Sequence, residues 1–342
     1  MRKRNRLYYN SIIMILALLL GAGCVFYGFR AYERGKTPES VSTLQEEQTG
    51  QETGAYPPEE QAGQDTLTVH FVDVGHGDAA LITCGQHAML VDCGKNIKGR
   101  MVSDYVREQG VDRLDYLILT HPDNDHIGGA PVILEDFRIE NILVSSYAKA
   151  SSEYELLKST LEQNNLETRV PVPGEEYTLG EAVFTILGPV EVFEDSNNSS
   201  IVFRLDFGER SFLFAGDQEK KAEKALLNQM TANAEIDVET NAETDEEANT
   251  ETDELSYKNL QADVLKVGHH GKNDACGKKF LAAVDPEYAV ISCGPDEGDI
   301  EPEEKLLERL YDSETTVLRT DEQGTIIVVC DKENLTWNKG ME

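Results

Sequence analysis

Short runs of apolar, largely β-branched residues recur along the chain: Leu67–Val72, Ala80–Thr83, Met89–Val91, Tyr116–Leu119, Ile139–Val144, Ala182–Leu187, Ile201–Leu205, Phe212–Phe214, Val264–Val267, Tyr288–Ile291, Thr316–Leu318 and Thr325–Val329. Runs of this length read as strands. Between some of them, Val102–Gln109, Glu153–Gln163, Gln218–Gln229, Lys278–Val284 and Glu303–Tyr311 place apolar residues near helical spacing, which predicts amphipathic helices. Roughly twelve strands with helices between groups of them predict an α/β architecture with two sheets. Gly75-His76-Gly77-Asp78 and the pair Gly85-Gln86 mark tight turns in an opening β-meander. No internal repeat interrupts the pattern.

Two regions break it. The first 36 residues carry Arg2, Lys3, Arg4 and Arg6, then nineteen residues without a charge from Ser11 to Phe29, then Arg30, Arg34 and Lys36. As a helix that run would span about 28 Å, close to the hydrocarbon core of a bilayer. It reads as a retained signal anchor (11–29) behind a basic cytoplasmic tail (1–10). The excess of basic residues before it directs the remainder of the chain outside the cytoplasm. A cleaved signal peptide, or a lipoprotein leader ending at Cys24, is the alternative, although Val25-Phe26-Tyr27 continue the apolar run beyond it. From Thr37 to Thr66 there are seven acidic residues and no basic one, so 30–66 reads as a disordered linker. A second such stretch, Thr231 to Tyr257, has ten acidic residues and none basic. It is expected to be a disordered insertion in a folded domain of 67–342, because regular patterns resume on both sides.

The net charge of −32 is only partly explained by these segments. Residues 67–230 and 258–342 still hold 45 acidic against 24 basic side chains, which disfavours extended contact with nucleic acid. Of the six cysteines, Cys24 lies in the apolar segment, and Cys84, Cys93, Cys276, Cys293 and Cys330 have no metal-finger spacing. They read as buried thiols, with a Cys84–Cys93 bridge as the alternative.

Chemistry concentrates in the histidines, of which there are seven. His121, Asp123, Asp125 and His126 follow directly on the apolar strand Leu117-Ile118-Leu119 and precede Ile127-Gly128-Gly129. Ligands spaced in this way on a strand-to-helix loop can diverge toward two nearby cations, and mixed nitrogen and oxygen donors suit Zn²⁺, Mn²⁺ or Fe²⁺. A polar loop without metal is the competing reading of this run alone. Val267-Gly268-His269-His270-Gly271 also ends an apolar strand. Adjacent histidines point to different sides, so one would ligate and its neighbour remain free as an acid or supporting donor. His269 is taken as the ligand and His270 as the acid. Asp92 and Asp217 each end a strand, where turn and cap roles compete with ligation. His70 and His87 read as structural, and His76 lies in a turn near the predicted site.

Taken in order, His70 through Ala79, Leu90-Val91-Asp92-Cys93-Gly94, Thr120 through Gly129, Asn197 through Val202, Phe214-Ala215-Gly216-Asp217 and Leu265 through Gly271 resemble the metallo-β-lactamase superfamily, in particular the extracytoplasmic hydrolase domain of ComEC-type DNA-uptake proteins. The resemblance covers about 67–330. It implies a four-layer αβ/βα sandwich with the site along the facing sheet edges. It further implies one metal on His121, Asp123 and Asp217, and another on Asp125, His126, Asp217 and a histidine of the 269–270 pair. Asp217 would bridge, Asp125 would orient the attacking water, and Asp78, Asp92, Asn198, Ser199 and His76 would support. The cofactor is expected to be one or two divalent ions, Zn²⁺ or else Mn²⁺.

Three departures accompany the resemblance. Asp123 stands where the wider superfamily has histidine, and Asn197-Asn198-Ser199-Ser200 replaces another histidine. Lys272 stands where the branch has serine, and Gly298-Asp299-Ile300-Glu301-Pro302 where it has Gly-His-Pro. The channel and the other extracytoplasmic domain of uptake proteins have no counterpart in the sequence. The expected activity is extracytoplasmic hydrolysis of a phosphodiester, with DNA possible but disfavoured by the acidic surface. The alternatives are hydrolysis of a cell-envelope phosphoester such as a phosphocholine or teichoic-acid ester, and a tethered binding protein with a decayed metal site. Nothing in the chain points to a lactam pocket.

Overall fold

The computed structural model describes residues 66–241, 260–295 and 301–338. The basic tail expected at 1–10, the apolar segment at 11–29 and nearly all of the linker lie outside these residues, as do 242–257 of the acidic insertion. Among the described residues, no helix is long and apolar enough to cross a membrane.

The chain opens as the expected meander. Strands β1 (Leu67–Phe71), β2 (Ala80–Cys84) and β3 (His87–Val91) pair antiparallel, with Gly85 at φ +59 in the two-residue turn between the last two. Helix α1 (Gly99–Glu108) then returns the chain to β4 (Arg113–Leu119), parallel to β3. Two short helices, α2 (Asn124–Ile127) and α3 (Ala130–Asp136), lead to β5 (Arg138–Val144), parallel to β4. Ser151 caps α4 (Ser152–Gln163) by accepting the Tyr154 N–H, and a second sheet follows. Its antiparallel strands are β6 (Glu176–Leu179), β7 (Ala182–Gly188), β8 (Val202–Phe207) and β9 (Arg210–Phe214). Parallel strands β10 (Val264–Lys266), β11 (Tyr288–Ile291) and β12 (Thr316–Arg319) extend it, with α5 (Lys220–Asn241), α6 (Lys278–Val284) and α7 (Glu304–Asp312) as the intervening helices. After α8 (Thr320–Gln323), β13 (Ile326–Cys330) and β14 (Leu335–Trp337) rejoin the first sheet, which is ordered β14-β13-β1-β2-β3-β4-β5; the second runs β12-β11-β10-β9-β8-β7-β6.

Both faces of the central strands are buried, which is why those strands read as apolar runs rather than strict alternations. Phe71, Ile82, Met89 and Val91 of the first sheet meet Phe184, Phe203, Phe212 and Phe214 of the second in a core between the sheets. On the outer faces, Leu81 and Leu90 pack toward Val102, Val106, Ile133 and Leu157, while Leu213 and Leu265 pack toward Leu226, Phe280 and Leu306. Each fully buried phenylalanine contributes about 2–3 kcal/mol by apolar area. The result is the expected helix–sheet–sheet–helix sandwich.

Fourteen strands are present among the described residues, against the roughly twelve expected. The two unread ones, β6 and β14, are outermost strands in which only Leu179 is buried, so they carry no continuous apolar run. Helix α5 continues to Asn241, past Thr231 where the sequence places the start of the acidic insertion. Met230, Ala232, Ala234 and Glu235 are good helix formers, and neither Gly nor Pro intervenes before Asn241. Cys84, Cys93, Cys276, Cys293 and Cys330 are all buried and free, so no Cys84–Cys93 bridge forms.

Candidate metal centre

Polar groups gather at the carboxyl ends of the parallel strands, where an α/β sheet leaves a crevice between diverging loops. Asp92 follows β3, His121 follows β4, Asp217 lies just beyond β9, and His269 and His270 follow β10. The two halves touch at this edge: Ile201 N donates to Thr120 O at 2.9 Å, and Gly216, at φ +54, leaves room for Thr120 and Ser200 that a Cβ would remove. Gly128 and Gly129 are not needed for backbone freedom, since both have helical backbone. Their smallness serves close approach instead, since a Cβ on Gly129 would lie 2.2 Å from the Cys93 carbonyl oxygen.

The imidazoles are oriented from behind. Asp92, buried, accepts from Thr120 N at 2.8 Å, Thr120 Oγ1 at 2.7 Å and His126 Nδ1 at 2.8 Å. His270 Nδ1 donates to the Ser292 carbonyl at 3.1 Å, and His121 Nδ1 lies 3.2 Å from Thr120 Oγ1 and 3.3 Å from Ser200 Oγ. With each Nδ1 so engaged, the three Nε2 atoms face a common space. Asp217 Oδ2 lies 3.2 Å from His126 Nε2, 3.5 Å from His270 Nε2 and 3.6 Å from His121 Nε2. Asp125 Oδ2 lies 3.2 Å from His270 Nε2.

Three features of this space fit a divalent cation. His121 Nε2 and Asp217 Oδ1 are buried without a hydrogen-bond partner, which is costly for polar atoms unless something else satisfies them. His126 Nε2 and His270 Nε2 stand 3.3 Å apart, so with both Nδ1 atoms donating, two lone pairs confront each other unless a proton or cation lies between. Finally, the donors are imidazole and carboxylate, a set suited to Zn²⁺ and Mn²⁺. Burial opposes charge on His126 and His270, yet Asp217, with Asp92 on one and Asp125 on the other, outweighs it and raises both pKa values well above the ordinary imidazole range. Burial, with the neighbouring His126, pushes His121 down to about 4. Asp125 and Asp217 stay far below the usual carboxylate range against their burial, because histidines surround them. The field that would hold protons here equally suits a cation that displaces them.

The structure thus brings His121, Asp125, His126, Asp217 and His270 together. Asp123 is turned aside, its carboxylate paired with Lys149 Nζ at 2.6 Å and hydrogen-bonded by Ser196 Oγ. His270, rather than His269, presents Nε2 to the cluster. The turn carrying them is left-handed at both residues, φ 50 at each, and it sends His269 outward to Asp274 Oδ1 at 3.0 Å and Asn197 Nδ2 at 3.3 Å. Asp78 is buried on the Nδ1 side of the histidines, paired with Lys266 Nζ at 2.8 Å and 3.5 Å from His270 Nδ1. It also forms a group within ligand reach with His126, Asp217 and His270, but Lys266 already neutralises it.

Asn198 and Ser199 face elsewhere. Asn198 Oδ1 accepts from Ala222 N at 3.0 Å near the start of α5, and Ser199 Oγ donates to the Asp195 carbonyl. Ser200, their neighbour, is the residue of that run that reaches His121 and accepts from Asp217 N at 3.0 Å. Lys266 was legible as a lone charge inside an apolar strand, Glu301 only as part of a departure from the family pattern. His76 Nε2 lies 2.8 Å from Asp125 Oδ2 and its Nδ1 2.8 Å from Glu301 Oε2. Burial lowers the pKa of His76, but its bonds to those two carboxylates prevail and raise it to about 9.

A helix–sheet–sheet–helix sandwich with histidines and aspartates converging at the sheet edge defines the metallo-β-lactamase class. The family model for the Metallo-beta-lactamase superfamily matches residues 72–294, and the chain belongs to that superfamily. Within it, the chain is similar to ComE operon protein 3 of Bacillus subtilis, 26% identical over 75% of this chain and 32% of that one. It is similar also to Recombination protein 2 of Haemophilus influenzae (27% identical; 78% of this chain, 29% of that one) and to Competence protein ComA of Neisseria gonorrhoeae (28%; 74% and 31%). The resemblance to ComEC-type competence proteins read from the motifs is borne out. The chain spans about a third of the length of these relatives.

Proposed function

We propose that the protein is a metal-dependent hydrolase that cleaves phosphodiesters, held at the outer face of a membrane by its apolar segment 11–29. The observation that carries this reading is the convergence of three imidazole Nε2 atoms and Asp217 in a buried space where His121 Nε2 and Asp217 Oδ1 have no hydrogen-bond partner. His126, His270, Asp125 and Asp217 would hold one divalent ion; His121 and Asp217 would contribute to a second. When bound, such ions supply Lewis acidity toward a phosphoryl oxygen and make a water acidic near neutral pH.

The chain's own residues do the rest. Asp92 and the Ser292 carbonyl accept from Nδ1 of His126 and His270, so that Nε2 is the atom each would turn to an ion that displaces its proton. Asp125, at the rim with 18% of its side chain exposed, can orient an attacking water through one oxygen while the other stays engaged with His76 and His270. Lys149 and Lys272, paired with Asp123 and Glu301, are cations on loops beside the site that suit an anionic ester. The names of the relatives refer to competence and recombination, which supports a nucleic-acid substrate; the acidic surface favours a short one over a long duplex.

The test uses the full chain supplied with Zn²⁺ or Mn²⁺. Bis(p-nitrophenyl) phosphate and a single-stranded oligonucleotide should be cleaved, and chelation or the double variant Asp125→Ala/His126→Ala should abolish turnover. Full activity in that variant overturns the site. Faster turnover of choline phosphoesters than of oligonucleotides would move the substrate to the cell envelope.

A further inference from the structure

Three of the residues that depart from the family pattern, or lie in a turn beside the site, meet in space. His76 belongs to the turn after β1, Lys272 follows the His269-His270-Gly271 turn, and Glu301 precedes α7. We infer that Lys272, Glu301 and His76 form a positioning chain that fixes the carboxylate of Asp125 at the metal centre. This rests on the proposed role of Asp125 as a metal ligand.

The chain is continuous. Lys272 Nζ lies 3.2 Å from Glu301 Oε1, Glu301 Oε2 lies 2.8 Å from His76 Nδ1, and His76 Nε2 lies 2.8 Å from Asp125 Oδ2. Only 2% of the Glu301 side chain is exposed, and a carboxylate so buried is tolerated only when paired and hydrogen-bonded. Oε2 is hydrogen-bonded by His76, while Oε1 has no hydrogen bond and is met only by the charge of the Lys272 ammonium.

The loops that carry these residues are seated on one another. Glu303 N donates to Gly271 O at 3.0 Å, and a Cβ on Gly271 would come within 2.5 Å of Pro302 Cβ. The His76 turn is held from both sides. Gly294 approaches it so closely that a Cβ would lie 2.6 Å from Gly75 Cα, and Gly77, at φ +133, approaches the Asp125 carbonyl oxygen to within 2.5 Å of a would-be Cβ. The His76 ring also packs on that of His270, centroids 4.5 Å apart.

Asp125 needs such support. It sits on a four-residue helix and is far more exposed than Asp217, at 18% against 4% of the side chain. A carboxylate on so short an element keeps its rotamer only through its partners. The described ones are His76 and His270, and His76 is the one not itself counted among the ligands. Aligning a ligand from behind in this way is worth about 10- to 100-fold in metal affinity.

Co²⁺ titration of the full chain tests this, with affinity measured by chelator competition and the visible Co²⁺ absorption bands reporting ligand geometry. His76→Ala and Glu301→Ala should each weaken Co²⁺ binding about 10- to 100-fold and shift the bands, at unchanged stoichiometry and with unchanged far-ultraviolet circular dichroism of the metal-free protein. The double variant should lose no more than the worse single one, because the two act as a unit. His76→Gln, which can still donate to Asp125, should restore most of the affinity and make Glu301→Ala silent; this variant also serves if His76→Ala does not fold. Wild-type affinity and spectrum in His76→Ala overturn the inference, as does loss of a whole equivalent of Co²⁺ in His76→Ala alone, which would make His76 a ligand. A wild-type chain that binds no Co²⁺ defeats the proposed function itself, whereas wild-type binding with indifferent variants defeats only the positioning role.

Discussion

The half of the molecule built on β1 to β5 and the half built on β6 to β12 furnish the centre in different ways. In the first, one loop after β4 carries His121, Asp123, Asp125 and His126 within six residues, and Asp92 on the adjacent strand end holds His126 and the preceding Thr120 in place. In the second, Asp217 and His270 come singly from the ends of β9 and β10, and their proximity exists only because those strands pair in parallel. A contiguous loop can be recognised locally and can tolerate a member turned aside, as Asp123 is by Lys149. A singly supplied ligand has no such redundancy.

The largest expected effect therefore belongs to the second half. Asp217→Ala removes the one carboxylate facing all three histidines, and turnover should fall by about four orders of magnitude, with bound metal lost in elemental analysis. Retained stoichiometric metal in that variant would erase the contrast between the halves.

Next in size are two opposed effects of pH on stability, one in each half. Burial lowers His70, on β1, to about 4, so between that value and the unfolded value of 6.5 the unfolded chain binds the extra proton. Stability is full above 6.5 and falls as pH drops toward 4, by on the order of 3 kcal/mol. Burial raises Glu223, on α5, to about 7 from 4.5, so there the native state keeps the extra proton and stability falls as pH rises from 4.5 to 7, by a similar amount. Urea melts across pH 4 to 8 should show the acid limb flattened in His70→Gln and the opposite limb flattened in Glu223→Gln. Unchanged pH profiles in both would show that neither group carries the linkage.

Smaller changes sharpen the distinction further. Asp92→Asn leaves every metal-facing atom in place but weakens the hold on His126 and Thr120, so metal affinity should drop about 10- to 100-fold. The smallest effect is expected for His269→Ala, whose side chain is engaged with Asp274 and Asn197, and metal content should stay at the wild-type level. Parallel metal analysis of His270→Ala, which should lose the ion, makes the comparison decisive.

Much of this was legible beforehand because it is local. Apolar runs marked both buried faces of the central strands, and the ordered motifs around His121, Asp217 and His269-His270 marked the loops whose histidines and aspartates converge. The edge strands β6 and β14 went unread because one-sided burial leaves no continuous apolar run, and the end of α5 because an acidic composition hid good helix formers. The choice between His269 and His270 depended on backbone angles in a left-handed turn, which residue type does not specify. Ser200 and Glu301 had no signature of their own; serine and glutamate are common in loops, and only what packs beside them gives them a role.

Composition, periodicity and motif order by themselves determined the class of fold, the family and the loop that concentrates the candidate ligands, since each depends on residues near one another in the chain. Tertiary structure decided which atoms converge, which aspartate is turned away, and that Glu301, itself paired with Lys272, reaches a turn some two hundred residues earlier. Those outcomes are set by angstrom-scale distances between loops that only the pairing of strands and the packing of two sheets bring together.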